Sequence, residues 1–258
     1  MMTYDTILRA AMAQSAVDLN CAAEDFGLTE NRAVVSAPND KARNYLELPF
    51  YCQLVSYGSN VVASASEEFL PSVRQYIDKY GAVRCFETPQ MHVLNDELEK
   101  RGYRVCFMAE YFLPDPAVMR PLTCAYECRV LTPDEFAPYY TPSFSNALCE
   151  RRKQYDVLAV GAYDGEKLIG LAGASADCDT MWQIGVDVLP TYRRQGIGSA
   201  ITSRLAGEIM ARDKVPFYCA AWSNVRSVRN AVKCGFLPAW VEMTAKSRSF
   251  VDKMNGVI

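Results

Sequence analysis

Val186-Asp187-Val188-Leu189-Pro190-Thr191-Tyr192-Arg193-Arg194-Gln195-Gly196-Ile197-Gly198-Ser199-Ala200 is the stretch whose reading decides the fold. A strand ends near Pro190, a tight loop follows, and a helix opens near Gly198. In such a turn successive backbone N–H groups point into one concavity, and the helix N-terminus adds about half a positive charge. That combination is a diphosphate site made of main chain. Gly196 and Gly198 lack Cβ, which lets a phosphate approach the backbone. Arg193 and Arg194 can add charge-assisted contacts.

The elements on either side give an α/β order. Gly198–Ala211 reads as a helix, with Ile197, Ile201, Leu205 and Ile209 on one face. Met181–Val188 is the strand before the loop. Val157–Tyr163 and Lys167–Ala174 are apolar runs joined by Asp164-Gly165, a hairpin turn signal. Tyr126–Leu131 is a shorter strand. Thr132-Pro133-Asp134-Glu135 opens a helix with N-cap, N1 proline and capping box, and 143–153 is predicted helical. Beyond the loop, Phe217–Ala221 is a buried strand, Ser227–Lys233 a short helix stopped by Gly235, and Ala239–Thr244 a last strand. The class is mixed α/β with a partly antiparallel central sheet.

Arg193-Arg194-Gln195-Gly196-Ile197-Gly198 matches the pyrophosphate loop of the GNAT superfamily of N-acetyltransferases, Gln/Arg-x-x-Gly-x-Gly/Ala. Asn224-Val225-Arg226-Ser227 followed by Lys233-Cys234-Gly235-Phe236 resembles the family's later block. The resemblance covers 124–246. It implies that this part folds as a GNAT domain and binds acetyl-CoA or a related acyl-CoA. The backbone at Val186 and Val188, the loop Arg193, Arg194, Gln195, Gly196, Ile197, Gly198 and Ser199, and Asn224 at the mouth of a splayed strand pair would hold it. It further implies transfer of an acetyl group to a primary amine of a small molecule or a peptide N-terminus. A Rossmann or P-loop reading fails for want of the G-x-G-x-x-G and Gly-Lys-Ser/Thr patterns.

Two positions depart from the family. Many members carry a Tyr on the last helix that protonates the departing thiolate; Ala231 stands there. Many carry a Glu on the strand before the loop as general base; counting back without gaps reaches Trp182, with Gln183 beside it. No catalytic acid or base is therefore assigned. Deprotonating an amine of pKa ~10.4 at pH 7 costs roughly 4–5 kcal/mol, whereas orientation can lower a barrier by about 7–11 kcal/mol. Transfer without a dedicated base is physically possible, with a strand N–H near Val186–Val188 polarising the carbonyl. The competing class is a non-catalytic acyl-CoA binding or sensing module. Asp187, Cys219 and His92 are read as structural rather than catalytic. Trp182, Trp222 and Tyr218 are read as core rather than acceptor pocket.

The other half carries an echo of this order. Tyr51–Ala65 is strand-like with a turn at Tyr57-Gly58-Ser59-Asn60. Glu67–Tyr80 is predicted helical, Val83–Phe86 a strand, Leu94–Arg101 a helix, and Val105–Phe112 a strand after Gly102. The stretch 51–113 reads either as a degenerate repeat of 181–246 or as an ordinary α/β succession. It has no G-x-G; Ser64-Ala65-Ser66-Glu67-Glu68 stands in its place. Prolines at 114, 116 and 121 put a boundary near 114–123, giving a degenerate GNAT-like α/β domain at 1–120 and the acyl-CoA-binding domain at 121–258.

Composition limits the partners. Of 258 residues half are hydrophobic, and the net charge is −3; nothing points to nucleic acid or an anionic membrane. Ile7, Leu8, Ala11 and Met12 read as an amphipathic helix rather than an export signal, and no apolar run is long enough to span a bilayer. Ten dispersed cysteines without C-x-x-C, and a single histidine, His92, suggest buried thiols in a reduced cytoplasmic protein, with no metal site and no disulfide.

Overall fold

The computed structural model describes residues 2–257. The chain forms two compact units. The C-terminal unit comprises Met1–Ala10 and Tyr111–Pro238; the N-terminal unit comprises Ala11–Glu110 and Ala239–Ile258. Helix α1 (Tyr4–Leu19) and strands β4 (Tyr103–Pro114) and β10 (Phe236–Ser247) each run from one unit into the other.

The N-terminal unit contains β1 (Arg32–Val35), β2 (Cys52–Ser56), β3 (Val62–Ala65), α2 (Leu70–Arg84) and α3 (Thr88–Glu99), and it ends on α7 (Arg248–Met254). Its strand order is β1-β3-β2-β10-β4. The Gly58 turn produces the expected β2–β3 hairpin, with Leu54 opposite Ala63. Val73, Ile77, Leu94 and Leu98 of the two helices bury against Leu54, Ala63 and Met243. Fully burying each such side chain is worth about 1.5–3 kcal/mol. The strand expected at Val83–Phe86 does not form. Helix α2 continues to Arg84 across a kink at Gly81, and Val83 is exposed. A parallel neighbour for β3 comes instead from β1, a short strand with only Ala33, Val34 and Val35 as apolar residues.

The C-terminal unit contains β5 (Glu127–Leu131), α4 (Pro133–Phe136), β6 (Asp156–Asp164), β7 (Lys167–Ser175), β8 (Met181–Val188), α5 (Ile197–Met210), β9 (Val215–Ala220) and α6 (Val225–Lys233). Its strands run in the order β4-β9-β8-β7-β6-β5. The result is a mixed α/β fold with an open, mixed sheet, as the sequence implied. β5 to β8 are antiparallel, and β8 and β9 are parallel. Ile197, Ile201, Leu205 and Ile209 of α5 pack on Val160, Ile169 and Ile184. A second cluster, with Phe136, Phe144 and Leu148 against Leu131, Leu168 and Leu171, covers sheet residues that are not in the α5 core. The helix expected at 143–153 is absent; two 3-10 turns, Pro142–Phe144 and Glu150–Tyr155, stand there. The reason is tertiary. The carbonyls of Asn146 and Ala147 lie where a Cβ on Gly185 or Gly173 would be, at 1.8 and 2.0 Å. This segment lies flat on the sheet only because those two positions carry no side chain.

Candidate functional site

The loop after β8 is held open from several sides. Leu189–Tyr192 closes on itself through Tyr192 N–H to Leu189 O, at 2.9 Å. The Tyr192 hydroxyl donates to Asp164 (2.9 Å), its ring meets Tyr126 edge-on, and the Tyr126 hydroxyl donates to Gln195 Oε1 at 2.8 Å. Arg193 turns back, its Nε donating to Val188 O at 3.0 Å, so part of its guanidinium caps the end of the strand. Arg194 and Gly196 both have positive φ, +65° and +80°. Gly196 is the N-cap of α5 in the left-handed region, which glycine occupies without steric cost.

These dihedrals have one consequence. Among the described residues, no backbone amide from Arg194 to Ser199 donates to another group of the chain; the first closed bond is Ala200 N–H to Gly196 O, at 3.0 Å. A helix leaves its first amides unpaired in any case. Here the run extends back into the turn, with Gly198 open beside Val188 and Asn230. The Ser199 hydroxyl is 3.0 Å from Asn230 Oδ1 and is thereby tied to α6. Asn224 caps α6, accepting from Ser227 N–H.

β8 and β9 pair with each other only as far as Ile184 and Tyr218, after which β8 runs on to Val188 along β7 and β9 runs on to Ala220. The two strands therefore splay beside the loop. On β8 the side chains alternate. Trp182, Ile184, Val186 and Val188 pack on the α5 side. Gln183 and Gly185 line a cavity on the other face. Asp187 accepts from Asn146 N–H, Asn146 Nδ2 and Ala147 N–H at 2.7–2.9 Å and so anchors the covering segment. Residues 125–236 match the family model described as the acetyltransferase (GNAT) family. Residues 125–236 are a GNAT acetyltransferase domain.

Among solved structures, the chain resembles a GCN5-related N-acetyltransferase-like protein from Streptococcus suis at 14% identity, covering 63% of this chain and 69% of that one, with a TM-score of 0.46. It also resembles a GCN5-related N-acetyltransferase from Kribbella flavida (15% identity, 58% and 62% covered, TM-score 0.46). A third similar structure is an aminoglycoside N-acetyltransferase in complex with CoA (14% identity, 47% and 93% covered, TM-score 0.36). The curated proteins give no match. The assignment of the GNAT domain rests on the family match.

Within the GNAT domain, Ala231 is fully buried in the α5 core. Trp182, where counting placed the general base, faces that same core, and it is Gln183 that reaches the opposite cavity. Gln183 Nε2 lies 3.1 Å from Cys219 Sγ. Tyr218 is buried, its hydroxyl 2.8 Å from Ser227 Oγ, and burial raises its pKa. Trp222 is exposed. His92 lies on an exposed position of α3 in the N-terminal unit. All ten cysteines are unbonded thiols; Cys124 and Cys128 bring their sulfurs to 3.9 Å. Burial pushes the Cys234 thiol up to about 12, which disfavours the reactive thiolate. Among the described residues, no group of three or more potential ligands is placed to share a metal ion, and no helix is long and apolar enough to cross a membrane.

Sequence reasoning missed two residues of the cavity. Asp156 and Arg152 line it together with Gln183. Asp156 is the first residue of β6, a position where a lone carboxylate reads as a solvated strand end, yet it is only 5% exposed. The signal available was Tyr140 and the 150–155 turn folding over it, which no periodicity carries.

Proposed function

We propose that the GNAT domain binds an acyl-CoA, acetyl-CoA in the first instance, and transfers its acetyl group to a primary amine. The observation that carries this is the run of unpaired amides from Arg194 to Ser199 at the N-terminus of α5. Six successive donors without acceptors, in a turn that Gly196 alone can complete, fit a diphosphate. Arg194 and the remaining guanidinium donors of Arg193 add positive charge, and Gln195, Ile197, Gly198 and Ser199 supply main chain. The backbone of β8 at Val186 and Val188, beyond the last pair with β9, together with Asn224 after β9, suits the amide-bearing pantetheine arm. When bound, acyl-CoA supplies an acyl group activated as a thioester. The chain's part is to hold it, to offer a strand N–H to the carbonyl oxygen, and to present an amine on the Gln183 face.

In this reading residues 121–258 carry the cofactor site, and residues 1–120 are a GNAT-like half without a phosphate loop, working beside it in the cytoplasm. A second reading, a non-catalytic acyl-CoA module, is favoured by Ala231 and Trp182. Both lie in the core, so neither end of β8 nor α6 offers the family's usual acid or base. Coenzyme A release from acetyl-CoA over a panel of amines, with calorimetric titration of CoA on the same protein, separates the two. Binding with release supports the transferase. Binding without release supports the module. Absence of binding removes both.

A further inference from the structure

The cavity on the Gln183 face has a volume of about 230 Å³. That is below the roughly 300–1,000 Å³ of pockets that take drug-sized ligands. Its floor is Gly173 and Gly185, and its wall is the Ser145–Ala147 segment pinned by Asp187. Asp156 lines it and is 5% exposed. Asp156 Oδ2 accepts from Cys149 N–H and from the Tyr140 hydroxyl, each at 3.0 Å. Its other oxygen holds no hydrogen bond among the described residues, although Ser175 and Arg152 stand near enough to favour its charge. Arg152 is itself paired with the fully buried Asp177, so its charge is already offset. Arg152 and Asp156 are the two charged side chains of the lining, and one carboxylate oxygen of Asp156 is without a hydrogen bond among the described residues. Burial raises its pKa, against the opposing pull of Cys149, Tyr140, Arg152 and Ser175.

We propose that this cavity is the acceptor pocket and that Asp156 receives the ammonium group of the acceptor, which is a small monoamine rather than a protein N-terminus or a bulky polyamine. The inference rests on the acyl-CoA reading above, because Gln183 and Gly185 place the cavity on the opposite face of the strand assigned to the pantetheine arm. A charge-assisted hydrogen bond to a buried carboxylate is stronger than its counterpart in water. A neutral isostere of the acceptor is therefore disfavoured.

The test uses n-butylammonium and its neutral counterpart n-butanol. Saturation-transfer NMR measures both against the wild-type chain saturated with CoA, against Asp156→Asn, and against Tyr140→Phe. The last variant keeps the carboxylate and removes one of its donors, and so reports loosening of the pocket alone. The expected result is n-butylammonium binding to the wild type about tenfold or more tighter than n-butanol. Asp156→Asn abolishes that preference, and Tyr140→Phe retains it. Equal binding of the two probes, no binding of either, an unchanged preference in Asp156→Asn, or its equal loss in both variants overturns the proposal. Calorimetry of CoA on the same samples keeps the two levels apart. CoA bound without ammonium preference overturns the pocket alone, whereas no CoA binding overturns the reading beneath it.

Discussion

Each unit has a strand that runs into a helix, and the two passages end differently. After β8 the chain makes a wide turn through Arg194 and Gly196, both at positive φ, and leaves the amides of Arg194 to Ser199 without acceptors. After β3 it turns at once. Ser66 O accepts from both Phe69 and Leu70, Val73 N–H bonds back to Phe69 O, and Pro71 has no amide to offer. Glu67 and Glu68 then place carboxylates where an anion would have to approach. The two passages share a secondary-structure description and differ in what the backbone leaves unsatisfied. A main-chain anion site is made by that remainder and not by the strand–helix order.

The units differ again beyond the helix. In the C-terminal unit β9 follows α5 and lies parallel to β8. In the N-terminal unit α2 leads directly to α3, and the parallel partner of β3 is β1, from earlier in the chain. Both successions still close alike. Gly102 follows α3 and Gly235 follows α6, at φ +76° and +86°, each donating its amide three residues back before a long strand begins.

The largest effect that sharpens the comparison concerns the polar core of the N-terminal unit. Arg43 is 2% exposed and bonds both Asp18 and Glu242, and Glu242 also accepts from Trp240 Nε1. Arg43→Met leaves two carboxylates without their cation, and removing one partner from a buried pair costs about 3–5 kcal/mol. Urea unfolding followed by tryptophan fluorescence measures it; a loss below about 1 kcal/mol contradicts a structural role for that network.

Next in size is Gly196→Asp, which needs positive φ and sets a carboxylate at the open amides. We expect CoA affinity to fall by about a hundredfold or more, close to 2.7 kcal/mol. Glu67→Gln with Glu68→Gln should create no CoA site, because the amides of Phe69, Leu70 and Val73 are already bonded, Pro71 has none, and no continuous run of open donors is left. Calorimetry that finds a second site in that variant breaks the contrast.

The paired glycines give a smaller, comparative effect. A Cβ on Gly102 meets nothing within 4 Å, whereas one on Gly235 lies 2.9 Å from Met119 Cα. Gly102→Ala should cost about 1–2 kcal/mol for the left-handed backbone alone. Gly235→Ala should exceed it by roughly 1–3 kcal/mol of overpacking. Equal melting temperatures for the two variants would show that the close approach of Met119 relaxes freely.

The smallest effect is on pH dependence. The folded pKa of Asp156 is raised by burial, so between its unfolded value near 3.9 and the raised folded value the native state binds the extra proton. Stability then falls as pH rises through that window. Asp156→Asn should remove this part of the slope in urea unfolding between about pH 4 and 7. An unchanged slope contradicts the burial of that charge.

Much of this was legible in the sequence because local rules decided it. Asp164-Gly165 set the β6–β7 hairpin, Thr132 to Glu135 the start of α4, and Arg193–Gly198 the loop that led to the GNAT domain. What was not legible depended on contacts remote in sequence. Val83–Phe86 looks like a strand until Val73 and Ile77 are seen carrying α2 past it. The 143–153 segment looks helical until Gly173 and Gly185, thirty or so residues away, let it lie on the sheet. Asp156 reads as solvated until Tyr140 and the 150–155 turn cover it. The form of the loop from Arg193 to Ser199 could be read in advance because it lies in the backbone of one continuous segment. The cavity could not, because it is assembled from three, 145–156, 173–175 and 183–185.

The central claim is that open amides, and not the strand–helix order, make the anion site. Amide chemical shifts of the ¹⁵N-labelled chain titrated with CoA test it most directly. The account predicts that the N–H signals of Arg194 to Ser199 shift downfield and saturate together, while those of Ser66 to Val73 stay in place. Saturable shifts confined to Ser66–Val73, or no movement at Gly196 and Gly198 while CoA binds elsewhere, would contradict it.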